Sequence, residues 1–193
     1  MVRTGERVPA ELASAGVWDE HGRQMELAAF WKERPAVVVF LRHFGCPCGS
    51  AQMAELTPRL GELHRLGMRT VLVGNGAPNF IDGFKERFGL FDKAVEVTTD
   101  PSLRSFRAAG LLRSWWMSYG PRGLWDALLA IGKGHVGRFG EGDGLQHGGT
   151  LIVGTDGIVA LYHRNLTKGG HLPAVEIIET AMRLALERSP LRI

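Results

Sequence analysis

The chain predicts an α/β domain: a central mixed sheet flanked by helices, with an insertion before a C-terminal β-hairpin. Three observations carry this. Ala36–Leu41 and Arg69–Gly74 are short apolar runs rich in β-branched residues, the pattern of strands buried on both faces. Stretches of helical period alternate with them. Near the end, two apolar runs flank an Asp-Gly turn, and a helical stretch closes the chain.

Taken in order, Val17–Gly22 reads as a short strand entering a turn, and Leu27–Trp31 as a short helix. Ala36–Leu41, bounded by Pro35, is the expected central strand. From Ser50 the period changes: Met53, Leu56, Leu60 and Leu63 share one helical face while Glu55, Arg59 and Glu62 occupy another. Pro58 predicts a kink and Gly67 the stop. Arg69–Gly74 is the next buried strand. Pro78–Phe88 is a helix ended by Gly89, and Val95–Val97 a short strand. Asp100 is expected to N-cap a third helix, with Pro101 at its first position, running to Gly110. Thr150–Gly154 and Ile158–Tyr162 form the hairpin around Asp156-Gly157. Pro173–Arg188 closes the chain, with Ile178, Ala181, Met182 and Ala185 expected inward. A βαβ half followed by a hairpin and a final helix is the thioredoxin-like order.

Residues 111–147 fall outside that order and read as an insertion, partly helical around Gly123–Ile131. It holds Trp115, Trp116, Tyr119, Trp125 and eight glycines. Its aromatics favour packing over ligand contact, because burial of aromatic area dominates cores. The segment is expected beside Cys46 or in a homodimer contact, since so many exposed aromatics would leave an apolar patch.

Composition narrows the function. The 193 residues suit one domain, residues 1–193. Charged residues make up 22%. The net charge of +3 is carried by scattered basic residues, which argues against nucleic acid. No apolar run is long enough to span a membrane. Arg3, Glu6, Arg7 and Glu11 interrupt any signal-peptide core, so a cytoplasmic location is expected. The two cysteines, Cys46 and Cys48, are one residue apart. Structural disulfides are rare in a reducing compartment, so the pair is expected to be chemical.

Cys46 lies between a buried strand and the following helix, which places its sulfur at a helix start. Backbone N–H groups and the helix dipole favour an anion there, so the thiol is expected to ionise more readily than an ordinary cysteine. Arg42 and His43 add positive potential. An inert buried thiol is the alternative; the neighbouring Pro47 and Cys48 weigh against it. Zinc would need a second ligand pair, which the chain lacks, and His163 and His171 are expected to be surface or capping residues. A Cys46–Cys48 disulfide would close a very small ring around Pro47. In a helical first turn the two side chains would also diverge by roughly 200°. An external thiol is therefore the expected resolving partner, and Cys48 the alternative.

The run Phe40-Leu41-Arg42-His43-Phe44-Gly45-Cys46-Pro47 resembles the peroxiredoxin-like proteins of the alkyl hydroperoxide reductase/thiol-specific antioxidant superfamily, in the branch that includes prostamide/prostaglandin F synthases. Further similarity lies at Val71–Gly74, Asp100–Leu103, Gly142–Thr150, His163-Arg164 and Gly169–His171. Two departures stand out. Typical peroxiredoxins carry Pro-x-x-x-Thr-x-x-Cys, and here Val39 and His43 hold the Pro and Thr places. The branch commonly shows Cys-x-x-Cys, and here Gly49 holds the last place while the partner cysteine is Cys48.

The resemblance implies a thiol oxidoreductase without a cofactor. Cys46 would attack a peroxide or disulfide, with Cys48, thioredoxin or a small thiol completing turnover. It also allows an endoperoxide-like lipid substrate. A non-catalytic redox sensor or binding module on the same fold is the third possibility. Arg42, His43, Phe44, Gly45 and Pro47 would shape the site. In thioredoxin folds the loop before the hairpin approaches the sulfur, usually through a cis-proline. Here it is Gln146–Thr150, where Gly148 and Gly149 would let substrate backbone dock beside Thr150; a plain turn is the alternative.

Overall fold

The computed structural model describes residues 1–115, 120, 121, 125, 128, 129, 132, 141–166 and 170–188, with backbone only at 47, 48 and 188. The strands are β1 (Gly16–Trp18), β2 (Gln24–Glu26), β3 (Ala36–Phe40), β4 (Arg69–Gly74), β5 (Glu96–Thr99), β6 (Gly149–Val153) and β7 (Val159–Arg164). They form one sheet in the order β2-β1-β5-β4-β3-β6-β7. β3, β4 and β5 run parallel, and the pairs on either side of them are antiparallel. This is the mixed sheet of a thioredoxin-like domain.

β3 shows why its sequence has no polar alternation. Val37 and Val39 enter one core with Leu72, Val97 and Ile152, beneath helices α2 (Pro47–Leu56), α3 (Leu60–Arg65), α4 (Ile81–Phe88) and α6 (Ala174–Arg188). Ala36, Val38 and Phe40 enter a second core on the opposite face. There they meet Leu12 of α1 (Ala10–Ala13), Phe30 of a 3-10 turn (Leu27–Phe30), Trp31, and Phe106 of α5 (Arg104–Ala108). Successive side chains of a strand point to opposite faces, so a strand covered on both sides must be apolar throughout.

The helical segment after β3 starts at Pro47, earlier than its periodicity suggested, with proline in the first turn where its missing N–H costs nothing. At Pro58 the helix breaks as expected: a 3-10 turn, Thr57–Arg59, separates α2 from α3. Gly67 ends the segment at φ 75°.

Two expectations need correction, and one strand was not anticipated. Asp100 does not N-cap a helix that begins at Pro101. The helix α5 starts at Arg104, and its N-cap is Leu103 in the left-handed region at φ 58°. The Asp100 carboxylate instead gathers the N–H and hydroxyl of both Ser102 and Ser105 (2.6–3.0 Å), so it organises the turn and reaches two α5 donors, both on Ser105, from outside the cap position. In α6, Ala174, Ile177, Ile178 and Ala181 are buried, whereas Met182 is 45% exposed. Met182 lies roughly 90° around the helix from the centre of that stripe. Finally, β2 is an edge strand of sequence Gln-Met-Glu whose one apolar residue, Met25, packs against the second core, and it was not expected.

The insertion is laced at its base. His147 N–H donates to Leu112 C=O (2.8 Å), Ser114 N–H to Leu145 C=O (3.0 Å), and Arg113 bridges to Gln146. Its expected helix at 123–131 lies mostly outside the described residues. Among those described, Trp115 and Trp125 are more than half exposed. No described helix is long and apolar enough to cross a membrane.

Candidate active site

The carboxyl ends of the parallel strands converge on the Cys46 turn. β3 ends at Phe40, and Leu41 N–H still pairs with Val73 C=O (2.8 Å). The chain then folds back, with Cys46 N–H donating to His43 C=O (3.1 Å). Cys46 is the N-cap residue of α2, at φ −75° and ψ 127°. Its carbonyl accepts the first helical bond, from Ser50 N–H (3.0 Å), and also the Ser50 hydroxyl (3.2 Å). Cys46 is buried, at 3% exposure. Because Cys46 caps the helix in extended conformation, the helical divergence of about 200° does not describe the Cys46–Cys48 pair. The Cys48 and Pro47 side chains lie outside the described residues.

Residues 141–147 form a strap across this turn. Asn75, just beyond β4, pairs with Asp143 twice: Asp143 N–H to Asn75 Oδ1 (3.0 Å) and Asn75 Nδ2 to Asp143 C=O (3.1 Å). Phe44 N–H donates to Glu141 C=O (3.3 Å). Burial alone would raise the Asp143 carboxyl. The Arg113 side chain (Nε–Oδ2, 2.7 Å), the N–H of Leu145 (2.8 Å) and the charges of Arg113 and His43 outweigh that and hold it below its ordinary value.

The expected site residues occupy distinct places around this frame. Arg42 is buried and ties the turn to the strap: Nη2 donates to Gly144 C=O (2.5 Å), and Nη1 lies 3.3 Å from His147 Nδ1. His43 is half-buried, and its ring Nδ1 is buried without a hydrogen-bond partner. Phe44 is buried against Phe84, with ring centroids 5.1 Å apart. A Cβ at Gly74 would run into the Phe44 ring, and one at Gly76 would come within 2.6 Å of Glu141 C=O, so both glycines make room for the turn. Gly45 is buried. The absent side chain at Gly49 leaves space over the Cys46 side chain.

The glycines before the hairpin make room for neighbouring backbone. A Cβ at Gly148 would strike the Phe40 carbonyl, and one at Gly149 would strike His163 C=O and Leu111. Their close approaches are to neighbouring protein backbone, which lets β6 pack tightly between β3 and β7. No cis peptide occurs among the described residues. Thr150 is fully buried between Val39 and His163, with its hydroxyl unpartnered. His163 and His171 act as ties: His163 Nε2 to Gly170 C=O (2.8 Å) and His171 Nε2 to Glu55 (3.2 Å).

Sequence reasoning missed Arg87, Glu141 and Asn75. Asn75 carried a signal, being a polar residue between two glycines at the carboxyl end of a parallel strand, where α/β proteins place their sites. Arg87 and Glu141 carried none.

Compared with known proteins, residues 55–166 match the family model described as AhpC/TSA antioxidant enzyme. The chain belongs to this family. The matched stretch begins beyond Cys46, so the turn's own chemistry rests on its geometry. The prostamide/prostaglandin F synthase of Homo sapiens is 31% identical over 166 residues, covering 82% of this chain and 80% of that protein. Peroxiredoxin-like 2C of Homo sapiens is 26% identical over 192 residues, covering 91% and 81%. Among solved structures, the bacterioferritin comigratory protein of Xanthomonas campestris superposes with a TM-score of 0.67 at 17% identity, covering 95% of this chain and 99% of that one. The family is peroxiredoxin-like, and its members are oxidoreductases on a thioredoxin fold.

Proposed function

We propose that the chain is a thiol peroxidase in which Cys46 is the nucleophile. The observation that carries this is the place of its sulfur, on the N-cap residue of a ten-residue helix and almost entirely buried. Helix-start N–H groups stabilise the thiolate. The thiolate attacks one peroxide oxygen, the O–O bond breaks, and the leaving alkoxide or hydroxide takes a proton. Cys46 is left as a sulfenic acid. A thiol then attacks that sulfur, water leaves, and a second thiol releases Cys46 from the mixed disulfide.

Burial of the sulfur favours a small peroxide over a protein disulfide in the first step. The reductant is an external thiol, a small one or a thioredoxin, with Cys48 as the alternative resolving residue. The reading takes the chain as one domain in a reducing compartment such as the cytoplasm, and leaves residues 111–147 to shape access or a homodimer contact. Arg42, Phe44 and Gly45 frame the turn. The half-buried His43 ring holds the place of the usual threonine, with Gly148, Gly149 and Thr150 on the hairpin side.

The second reading, reduction of a lipid endoperoxide, is favoured by the 31% identity to a prostamide/prostaglandin F synthase. Intact mass after one equivalent of hydrogen peroxide tests the first. A gain of one oxygen on Cys46, reversed by thiol, is expected, and an unchanged mass would reject it. Turnover of a bulky endoperoxide with hydrogen peroxide inert would establish the second. Mass change without turnover would leave the protein a sensor.

A further inference from the structure

We infer that Arg87, on the last turn of α4, is a positioning residue for the reactive turn. Its guanidinium faces two groups at once. Nη1 donates to Phe44 C=O (3.0 Å), and Nη2 pairs with Glu141 Oε2 (3.0 Å). Phe44 N–H in turn donates to Glu141 C=O (3.3 Å). These contacts close a ring through Phe44 C=O, the guanidinium, the Glu141 carboxylate, the Glu141 carbonyl and Phe44 N–H.

Phe44 stands two residues before Cys46. Both polar groups of its main chain are held by this ring, and its side chain is clamped between Gly74 and Phe84. The partners are mostly out of water: the side chains of Arg87 and Glu141 are 22% and 10% exposed. A charge-assisted pair so shielded holds its geometry better than a surface ion pair. The planar fork also matters. Its donors point at two acceptors in fixed directions, whereas a lysine offers a single compact charge on a flexible stem. Arg87 touches neither the sulfur nor a substrate in this arrangement. Its role is to fix where Cys46 sits over the start of α2 and how seldom the turn opens.

The inference gains its meaning from the reading of Cys46 as the reactive sulfur, but its test needs no peroxide. In the full-length chain carrying Cys48→Ser, Cys46 is the only thiol. Its alkylation by iodoacetamide is followed across pH by intact mass. Loss of charge-assisted hydrogen bonds makes local opening more frequent, so Arg87→Met should raise the high-pH plateau rate about fivefold or more. The midpoint of the profile should move upward as the sulfur loses its fixed place at the helix start. Arg87→Lys should recover most of the plateau effect but less of the midpoint. Glu141→Ala alone should accelerate alkylation about threefold and add little on top of Arg87→Met, as members of one network do.

Arg69→Met breaks the Arg69–Glu96 pair at the opposite end of the sheet and serves as the matched control. A merely structural effect would make the two arginine variants alike once compared at equal thermal stability. A plateau within about twofold of the parent, a slower one, or equal rates for Arg87→Met and Arg69→Met would overturn the inference. If Arg87→Met does not fold, Glu141→Ala decides: acceleration supports the clamp, and an unchanged or slower rate rejects it. Failure of Cys46 to react with peroxide, with these alkylation effects intact, would count against the proposed activity and not against the clamp.

Discussion

The two ends of the parallel strands are built from the same three segments and do opposite things with polar groups. At the carboxyl ends, three buried or half-buried groups are tied across the turn, Asn75 with Asp143, Arg42 with Gly144 and His147, and Arg87 with Phe44 and Glu141, beside the unpartnered His43 Nδ1 and Thr150 hydroxyl. At the amino ends, charges sit on an open rim. Arg69 pairs with Glu96, and Glu33, Arg34, His64 and Lys93 border a cavity of about 430 Å³ whose floor includes Thr70. A buried donor that loses its partner incurs the full cost of desolvation, whereas a rim charge falls back on water. Loss of a tie should therefore cost more at the carboxyl end than at the rim.

The largest effect should come from the sulfur itself. Cys46→Ser is expected to abolish peroxide-dependent thiol oxidation, a loss of at least about 10³-fold in keeping with removal of a nucleophile. Its thermal midpoint should stay near that of the parent, as differential scanning calorimetry would show. Retained turnover would break the link between the organised end and function.

Next comes the space made for Phe44. Gly74→Ala forces a methyl into the ring, and overpacking of this kind costs about 1–3 kcal/mol. Urea unfolding should report that loss, with Cys46 alkylation faster as well. A neutral substitution would mean that Phe44 can retreat, and that the turn is less fixed than its contacts suggest.

Acid should sharpen the contrast. Asp143 has a depressed carboxyl, so its contribution to stability is fully present above its unfolded value of 3.8 and fades as pH falls through the lower folded value. The stability difference between the parent and Asp143→Asn should be larger at about pH 6 than at about pH 3, as chemical denaturation at both would show. An unchanged difference would mean that the carboxylate charge does not hold the strap.

The smallest effect is expected at the rim. Arg69→Met should cost no more than about 1 kcal/mol, because both partners are more than a third exposed and water competes for them. A larger loss would undo the distinction between the two ends.

Much of this was readable in the sequence, for a reason visible in particular residues. Ala36–Phe40 announced a strand because each side chain meets apolar neighbours on one face or the other. Cys46 announced a helix start because Pro47 and the periodic residues after it are local signals. The bracing of the turn was not readable. Arg87 lies 43 positions from Phe44 and 54 from Glu141, and nothing along the chain marks them as neighbours until the end of α4 meets two loops. Asp100 misled because Asp-Pro-Ser is good capping chemistry; its carboxylate takes two donors from Ser102 in the turn and two from Ser105 in α5 without holding the cap position. At Gly148 and Gly149 close approach was legible, whereas the neighbouring strands that they make room for were not.

The lacing at the base of the insertion has a consequence for the Cys46 turn. Leu112–Ser114 and Leu145–His147 are held together by main-chain hydrogen bonds, so the chain leaves the domain and re-enters it at one point. For a flexible segment the closure entropy alone grows only logarithmically with length, by about 0.6 kcal/mol for each doubling. The lacing holds both ends of the stretch together, and its return point at Glu141 stays fixed against the turn that carries the sulfur.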